Sequence, residues 1–401
     1  MNESNFSIIS SNSQEELLQQ FFKIIYSKEK SEPANPLIPE IVLIQNHGFK
    51  KWISLKTAET EGILANTKFL FPNELIQMVF QNVLSGSGET HSSKEMQWKL
   101  MEILLDLPAD SAFDTIRSYL NTGQKTRAFD LASMLAELFD QYEIFRTDTI
   151  LEWEQSAPDS WVAKLWKMLP DEIRLNRKPF LKERLFQQFE KMSPAKGLDG
   201  FPKRITVFGI SYLSPFYLDI LKALSQFTEI HFLYFNPSMH FWGDTVAEVQ
   251  EKRAMLGNKT AENLHIDIGN PLLSTLGKYG RDFFNLLMDD DITADLSQLE
   301  SDTLAQGDNL LHKLQMDIFR LNNPKDHDAK KVLPEEGDPS IQFHSCYSKM
   351  REVEVLKDQL LDLFQNDENS TFAPEDILVM TPDIEEYAPI IQAVFQRDDT
   401  E

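Results

Sequence analysis

The sequence predicts an α/β fold: a parallel sheet interrupted by an inserted all-α domain, with the start of a second α/β domain near the end. Three observations carry this expectation. Two strand–loop–helix patterns open the chain, "FSIISSNSQEELLQQFFKII" from Phe6 and "IVLIQNHGFKKWISLKTAE" from Ile41. From about Leu75 to Lys196 the apolar spacing is helical almost throughout. Then "RITVFGISYLSPFYLDILKALSQFTEIHFLYFNPS" (Arg204–Ser238) returns to strand, helix and strand. Successive strand–helix units imply parallel pairing through crossovers, so the sheet is expected on both sides of the helical stretch.

Each element has a local cause. Phe6–Ser10 is an apolar β-type run, and a helix follows from Ser13 to Ile25. Ser13 and Glu16 have the spacing of a capping box. Ser27–Glu40 is a Pro-rich connector. Ile41–Ile44, "IVLI", is wholly apolar, as expected of a strand covered on both faces. The chain turns at Gly48 into a second helix. "SKEMQWKLMEILLDL", "FDLASMLAELFDQYEIF" and "SWVAKLWKMLPDEI" carry apolar residues three and four apart, the stripe of a buried helix face. Ile205–Ile210 and Ile230–Phe235 are the returning strands, with a helix from about Pro215 to Ser225 between them.

Further on, Thr245–Asn270 is a polar surface excursion. "NPLLSTLGKYGRDFFNLLMDDD" is a helix ending in the acid run Asp289–Asp291, and "DNLLHKLQMDIFRLNNP" is another. A charged linker leads to "IQFHSCYSKMREVEVLKDQLLDLF" and "DILVMTPDIEEYAPIIQAVF", where a new α/β unit of one or two strands is expected to begin. The expected domains are therefore 1–90 and 201–325 for the interrupted α/β part and 91–200 for the helical insertion. A linker at 326–340 precedes the start of a second α/β domain at 341–401. So few strands make an incomplete sheet, which points to a fragment of a longer polypeptide.

Composition narrows the function. At 401 residues the chain has room for two or three domains. Its charge is −24, with 63 acidic against 39 basic side chains. Affinity for nucleic acid comes largely from neutralising phosphates, so any DNA contact needs a locally basic channel or basic partners. Cys346 is the one cysteine, which excludes an internal disulfide or a Cys-based zinc site and suits a reducing cytoplasm. No signal sequence opens the chain, and no apolar run approaches the roughly 18 residues of a membrane span.

Catalysis finds no foothold. A phosphate loop needs glycines for backbone approach and a lysine on the terminal phosphates, and "SSNSQ" has neither. Glu15 and Glu16 would repel a triphosphate, so the loop is expected to be a helix cap and no cofactor is expected. The histidines are scattered without HExxH spacing, which argues against a metal site. Ser211 in "GISYLSP" is not in a Gly-x-Ser-x-Gly elbow. Two stretches could touch DNA. Lys164, Lys167, Arg174, Arg177, Lys178, Lys182 and Arg184 interleave with Trp161, Trp166 and Phe180. In "LFDQYEIFR", Phe139, Tyr142 and Phe145 recur every third residue beside Asp140, Gln141 and Arg146. The plainer reading of the first is a solvated helix face over buried aromatics, and of the second, core.

Taken together, "IVLIQNHGFKKWI", "GILANTKFLFPNELI", "MQWKL", "ELFDQYEIFR", "VFGISYLSPFYLDILKAL", "FNPSMHFWGD", "NPLLSTLGKYGRDF", "CYSKMREVEVLKDQLL" and "DILVMTPDIEEYAPIIQAVF" resemble one family in order along nearly the whole chain. It is RecC, the gamma subunit of exodeoxyribonuclease V. The resemblance implies a degenerate superfamily 1 helicase-like sheet domain whose motor motifs have decayed, with "SSNSQ" where a phosphate loop once stood. It implies a subunit without activity of its own in an ATP-dependent helicase–nuclease heterotrimer, with beta (motor and nuclease) and alpha (second motor) subunits as partners in cytoplasmic double-strand break repair and recombination. Such a subunit splits the duplex, guides the 3′ strand and scans it for the Chi octamer. Family channel residues map to Gln45, His47, Lys51, Phe71, Glu137, Leu138, Asp140, Arg146 and Lys182. Gln45, Leu138, Asp140 and Arg146 keep the residue type of the best-known member. His47 and Lys51 replace Thr and Gln, Phe71 replaces Leu, and Gln77 stands where that member has Trp. Asp140 would orient Arg146 if the chain bends, because a spacing of six is not a helical contact. Two rivals remain: an active helicase or nuclease of the superfamily, and a scaffold that docks motor subunits without touching DNA.

Overall fold

The computed structural model describes residues 5–26, 38–84, 92–120, 125–156, 160–194, 197–198, 201–245, 269–288, 295–298, 309–323, 335–366 and 373–396. The Pro-rich connector, most of the 245–270 excursion, the acid run Asp289–Asp291 and most of the charged linker lie outside them. The chain forms two compact units, Met1–Gly307 with Leu314–Lys331, and Asp308–Lys313 with Val332–Glu401.

The larger unit is built on a parallel sheet of β1 (Phe6–Ser11), β2 (Glu40–Leu43), β3 (Thr67–Leu70), β4 (Arg204–Phe208), β5 (Glu229–Phe235) and β6 (Asp295–Gln298). The order is β3-β2-β4-β5-β1-β6. All four expected strands share this sheet, in parallel register: Ile41 pairs with Ile205, Ile205 with Ile230, and Ile230 with Phe6. β3 and β6 were not anticipated. β3 is four residues with one buried side chain, so its sequence lacks an apolar run and its pairing with β2 alone makes it a strand.

Strand alternation divides the core. Val42, Ile44, Phe208 and Leu233 face one way and meet Leu17, Leu18, Phe21 and Phe22 of α1 (Gln14–Tyr26) and Ile53 of α2 (His47–Glu61). Ile41, Leu43, Ile205, Val207, Ile230 and Phe232 face the other way. They are covered by α3 (Pro72–Val83), α10 (Lys178–Phe189), α11 (Pro215–Leu224) and the helix Lys278–Leu287. Burial on both faces explains why "IVLI" is apolar without a break. At the sheet's lower edge Arg204 forks onto Glu40 at 2.6 and 2.9 Å. It also donates to the Ile24 and Ile25 carbonyls at 2.6 and 3.1 Å, closing the end of α1.

Between β3 and β4 run α4 (Ser93–Leu105), α5 (Asp114–Leu120), α6 (Lys125–Phe145), α7 (Thr147–Gln155), α8 (Trp161–Met168), the single turn α9 (Asp171–Arg174) and α10. The first five gather a core of their own around Leu100, Leu135, Phe139, Ile150, Leu165 and Trp166. α10 instead sends Leu181, Leu185 and Phe189 into the sheet's core. Beyond β5 the expected single helix is two, Pro271–Leu276 and Lys278–Leu287. The break is at Gly277, where a Cβ would lie 2.4 Å from the Leu273 carbonyl oxygen and 3.3 Å from the Trp242 ring.

In the smaller unit the helices Lys349–Asn366 and Ile384–Phe395 pack through Val353 and Val394, and Tyr387 donates to Glu352 at 2.9 Å. The one or two strands expected here are absent among the described residues. Residues 341–346 and 377–380 belong to no sheet. An extended run becomes a strand only when a neighbour takes its N–H and C=O groups, and neither segment has that neighbour among the described residues.

Gly209, directly after β4, has φ of 64°, and a Cβ there would meet the Phe49 ring at 2.6 Å. Gly209→Ala combines left-handed strain with overpacking, so it is expected to cost about 2–4 kcal/mol. Chemical denaturation of the variant against the parent chain measures it.

Candidate nucleic-acid interface

In a parallel sheet, ligands meet the loops at the carboxyl ends of the strands. Here β1, β2 and β5 end in a cleft of about 530 Å³ lined by Asn12, Ser13, Gln14, Glu15, Asn46, Gly48, Phe49, Trp52 and Phe235. This is the place of the absent phosphate loop, and the chain has closed it on itself. Ser13 Oγ caps α1 by accepting from Glu16 N–H at 3.3 Å and donates to Glu15 Oε2 at 3.1 Å. The expected capping box is only half formed. Glu16 Oε2 accepts from Ser11 Oγ at 2.6 Å, and Ser13 N–H goes to Ser11 Oγ at 3.0 Å. Two carboxylates therefore sit where the helix end would attract an anion.

Next to the cleft, the exits of β2, β3 and β4 bring three of the expected residues together. Gln45 Oε1 accepts from Ser211 N–H at 3.4 Å and Ser211 Oγ at 3.2 Å. The His47 ring stands edge-on to Phe71, centroids 4.9 Å apart. Asn46 caps α2 by accepting from Phe49 N–H at 3.1 Å, which fixes His47 at the first position of the helix. Lys51, one turn on, is exposed and has no ion-pair partner among the described residues.

The helical block supplies the rest. Glu137 is exposed and Leu138 half-buried on α6. Arg146, exposed, follows the end of α6, with its guanidinium 5.3 Å from the centre of the Tyr142 ring. Among the described residues no hydrogen bond or ring contact joins these three to Gln45, His47, Lys51 or Phe71.

Asp140 does not orient Arg146. It accepts from Arg177 at 3.0 Å and Lys178 at 3.1 Å, because α6 stays regular through Phe145 and puts Asp140 on the side facing α10. Arg177 also donates to Glu143, which is fully buried. Burial pushes the Glu143 carboxyl above the usual carboxylate range, with the Arg177 guanidinium pulling it partly back. Lys182 gives its ammonium to Asp219 of α11 at 2.6 Å and lies 5.5 and 5.7 Å from the Phe186 and Phe216 ring centres. Tyr217, beside it on α11, bonds to Asn73 of α3, and desolvation together with the Asp140 charge raises its phenol to about 12.

The basic stretch is thus spent internally. Lys164 pairs with Asp110, Lys167 with the Ser156 carbonyl, Arg174 with Glu154, and Arg184 with the Leu175 carbonyl and Asn176. Trp166 is buried and donates to Glu154 at 2.8 Å. In the aromatic stripe Phe139 is core, Tyr142 half-buried and Phe145 exposed. Ser211, Glu143 and Arg177 were missed as partners of site residues. Glu143 was legible, since it lies four residues after Phe139 on the apolar face of α6 and an acid there needs a buried cation. Among the described residues no group of three or more His, Cys, Asp or Glu is placed to hold a metal ion. No helix among them is long and apolar enough to cross a membrane.

The family described as "RecC, N-terminal domain" matches residues 6–321, which takes in the sheet, the helical block and the strand exits together. The chain belongs to the RecC family. It is similar to the RecBCD enzyme subunit RecC of Escherichia coli K12, 34% identical over 95% of this chain and 37% of that protein. The proteins of the same name from Haemophilus influenzae and Mycolicibacterium smegmatis are each 30% identical, over 95% and 92% of this chain. The chain spans 33 to 38% of the length of these RecC relatives.

The buried pair sets a stability expectation. Arg177→Met leaves Glu143 uncompensated and should cost about 3–5 kcal/mol, whereas adding Glu143→Leu should recover most of the loss. Urea unfolding of the single and double variants reads both.

Proposed function

We propose that this chain is the N-terminal part of a DNA-guiding and sequence-recognition subunit in an ATP-dependent helicase–nuclease complex of the exodeoxyribonuclease V type, without activity of its own. The family match over residues 6–321 carries the reading, and the names of its relatives supply the complex. Its partners are the motor and nuclease subunit, the second motor subunit and a single strand unwound from a duplex end, in the cytoplasm. The strand, scanned for a Chi-type sequence, passes over the exits of β2, β3 and β4. Gln45 and His47 offer hydrogen bonds to bases, Phe71 packs beside them, and Lys51 and Arg146 hold phosphates. Glu137 and Leu138 line the helical side. Asp140 and Lys182 act at one remove, because their bonds to α10 and α11 hold the helical block against the sheet.

An active motor is disfavoured by the loop after β1, which has no glycine or lysine and carries Glu15 and Glu16 on its helix end. The chain is expected to give no ATP binding heat by calorimetry and no phosphate release with single-stranded DNA. Tight ATP binding lost on Ser13→Ala supports the motor reading instead.

The scaffold reading is separated by a salt titration. Lys51→Ala and Arg146→Ala should each weaken binding of single-stranded DNA and flatten the salt dependence by about one unit of slope per phosphate contact. Their thermal stability should match the parent chain, since both side chains are exposed. Binding and slope unchanged in both variants favour a scaffold.

A further inference from the structure

Gln45 is exposed, yet its amide has a fixed sense. A backbone N–H only donates, so the end of the side chain that meets Ser211 N–H is the oxygen, and the Ser211 hydroxyl donates to the same atom. The Nε2 end then has both hydrogens to give, and nothing among the described residues accepts them. Ser211 reaches this position for a structural reason. The left-handed turn at Gly209 and the burial of Ile210 and Leu213 carry the chain leaving β4 across the end of β2.

This has a consequence for base recognition. A free glutamine amide matches adenine, its oxygen taking the N6 amino group while its nitrogen donates to N7. With both lone pairs of Oε1 taken by the Ser211 N–H and hydroxyl, that pairing is lost. Guanine presents two adjacent acceptors, O6 and N7, and asks only for donors.

We propose that Ser211 is a positioning residue that fixes Gln45 as a donor, so that the exit of β2 selects guanine over adenine in a single strand. The inference rests on the reading that a strand passes over these loops. It concerns the hydrogen-bond sense of one side chain, which that reading leaves open.

The test uses the full 401-residue chain and thymidine oligonucleotides in which every third base is guanine, hypoxanthine or adenine, at constant salt. Hypoxanthine keeps O6 and N7 but lacks the guanine amino group. By fluorescence anisotropy the guanine and hypoxanthine strands should bind alike, and roughly five- to tenfold more tightly than the adenine strand. Ser211→Ala leaves only the 3.4 Å backbone donor on Oε1 and returns one lone pair of that oxygen to the adenine amino group, so it should bring that ratio below about twofold, with adenine-strand affinity no weaker. Ser211→Thr, which keeps the hydroxyl, should preserve the ratio. Gln45→Glu, which keeps an acceptor for Ser211 and removes the donors, should abolish it. Binding without guanine preference, or a preference that survives Ser211→Ala, overturns the inference and leaves strand guidance standing. No binding of any of the strands overturns both.

Discussion

Phe208, the last residue of β4, is packed by the rings of Phe21, Phe49 and Trp52, with centroids 6.1, 5.8 and 6.0 Å away. That cluster seats α1 and α2 on the sheet, and the left-handed turn at Gly209 is its direct consequence. The Phe49 ring occupies the space a side chain would need there. Everything at the strand exits follows from this turn. It sends Ile210 and Leu213 into the core, holds Ser211 against Gln45, and starts α11, whose Asp219 and Tyr217 fasten the helical block and α3. Packing on one face of the sheet thereby dictates geometry at its edge.

The loop after β1 illustrates how a helix end can be satisfied from within the chain. A helix end needs its N–H groups met, and a bound phosphate is one way to meet them. Ser13, Glu15 and Glu16 meet the same need from within the chain. Ser11 and Ser13 interlock with both carboxylates, so the strand–loop–helix stays closed with no ligand.

The acidic balance has a related logic. With 63 carboxylates against 39 cations, most cations of the helical block find an acid or a carbonyl inside the chain. Arg177 is the extreme case, held by Asp140 and the buried Glu143. Such pairs contribute modestly to stability but are costly to break singly, so they specify how α6 and α10 meet. Among the described residues, Lys51 and Arg146 are exposed and in no ion pair.

The sequence by itself determined the class of the fold, the four central strands, the helical insertion and the Ser13 cap of α1, because these depend on periodicity and near-neighbour chemistry. It also held the family resemblance and the lack of a phosphate loop. Short marginal elements were not legible. β3 carries no apolar pattern of its own, and the expected strands in residues 341–346 and 377–380 lack a partner ladder. Which cations are consumed was equally hidden, since Lys182 finds Asp219 and Arg177 finds Glu143 across 37 and 34 residues of chain. Only the tertiary structure decided that Asp140 serves Arg177 and not Arg146, and that Ser211 sets the sense of Gln45. A hydrogen bond is fixed by distances of a few ångströms, and residues remote in sequence acquire those only when the sheet and its helices have closed around them.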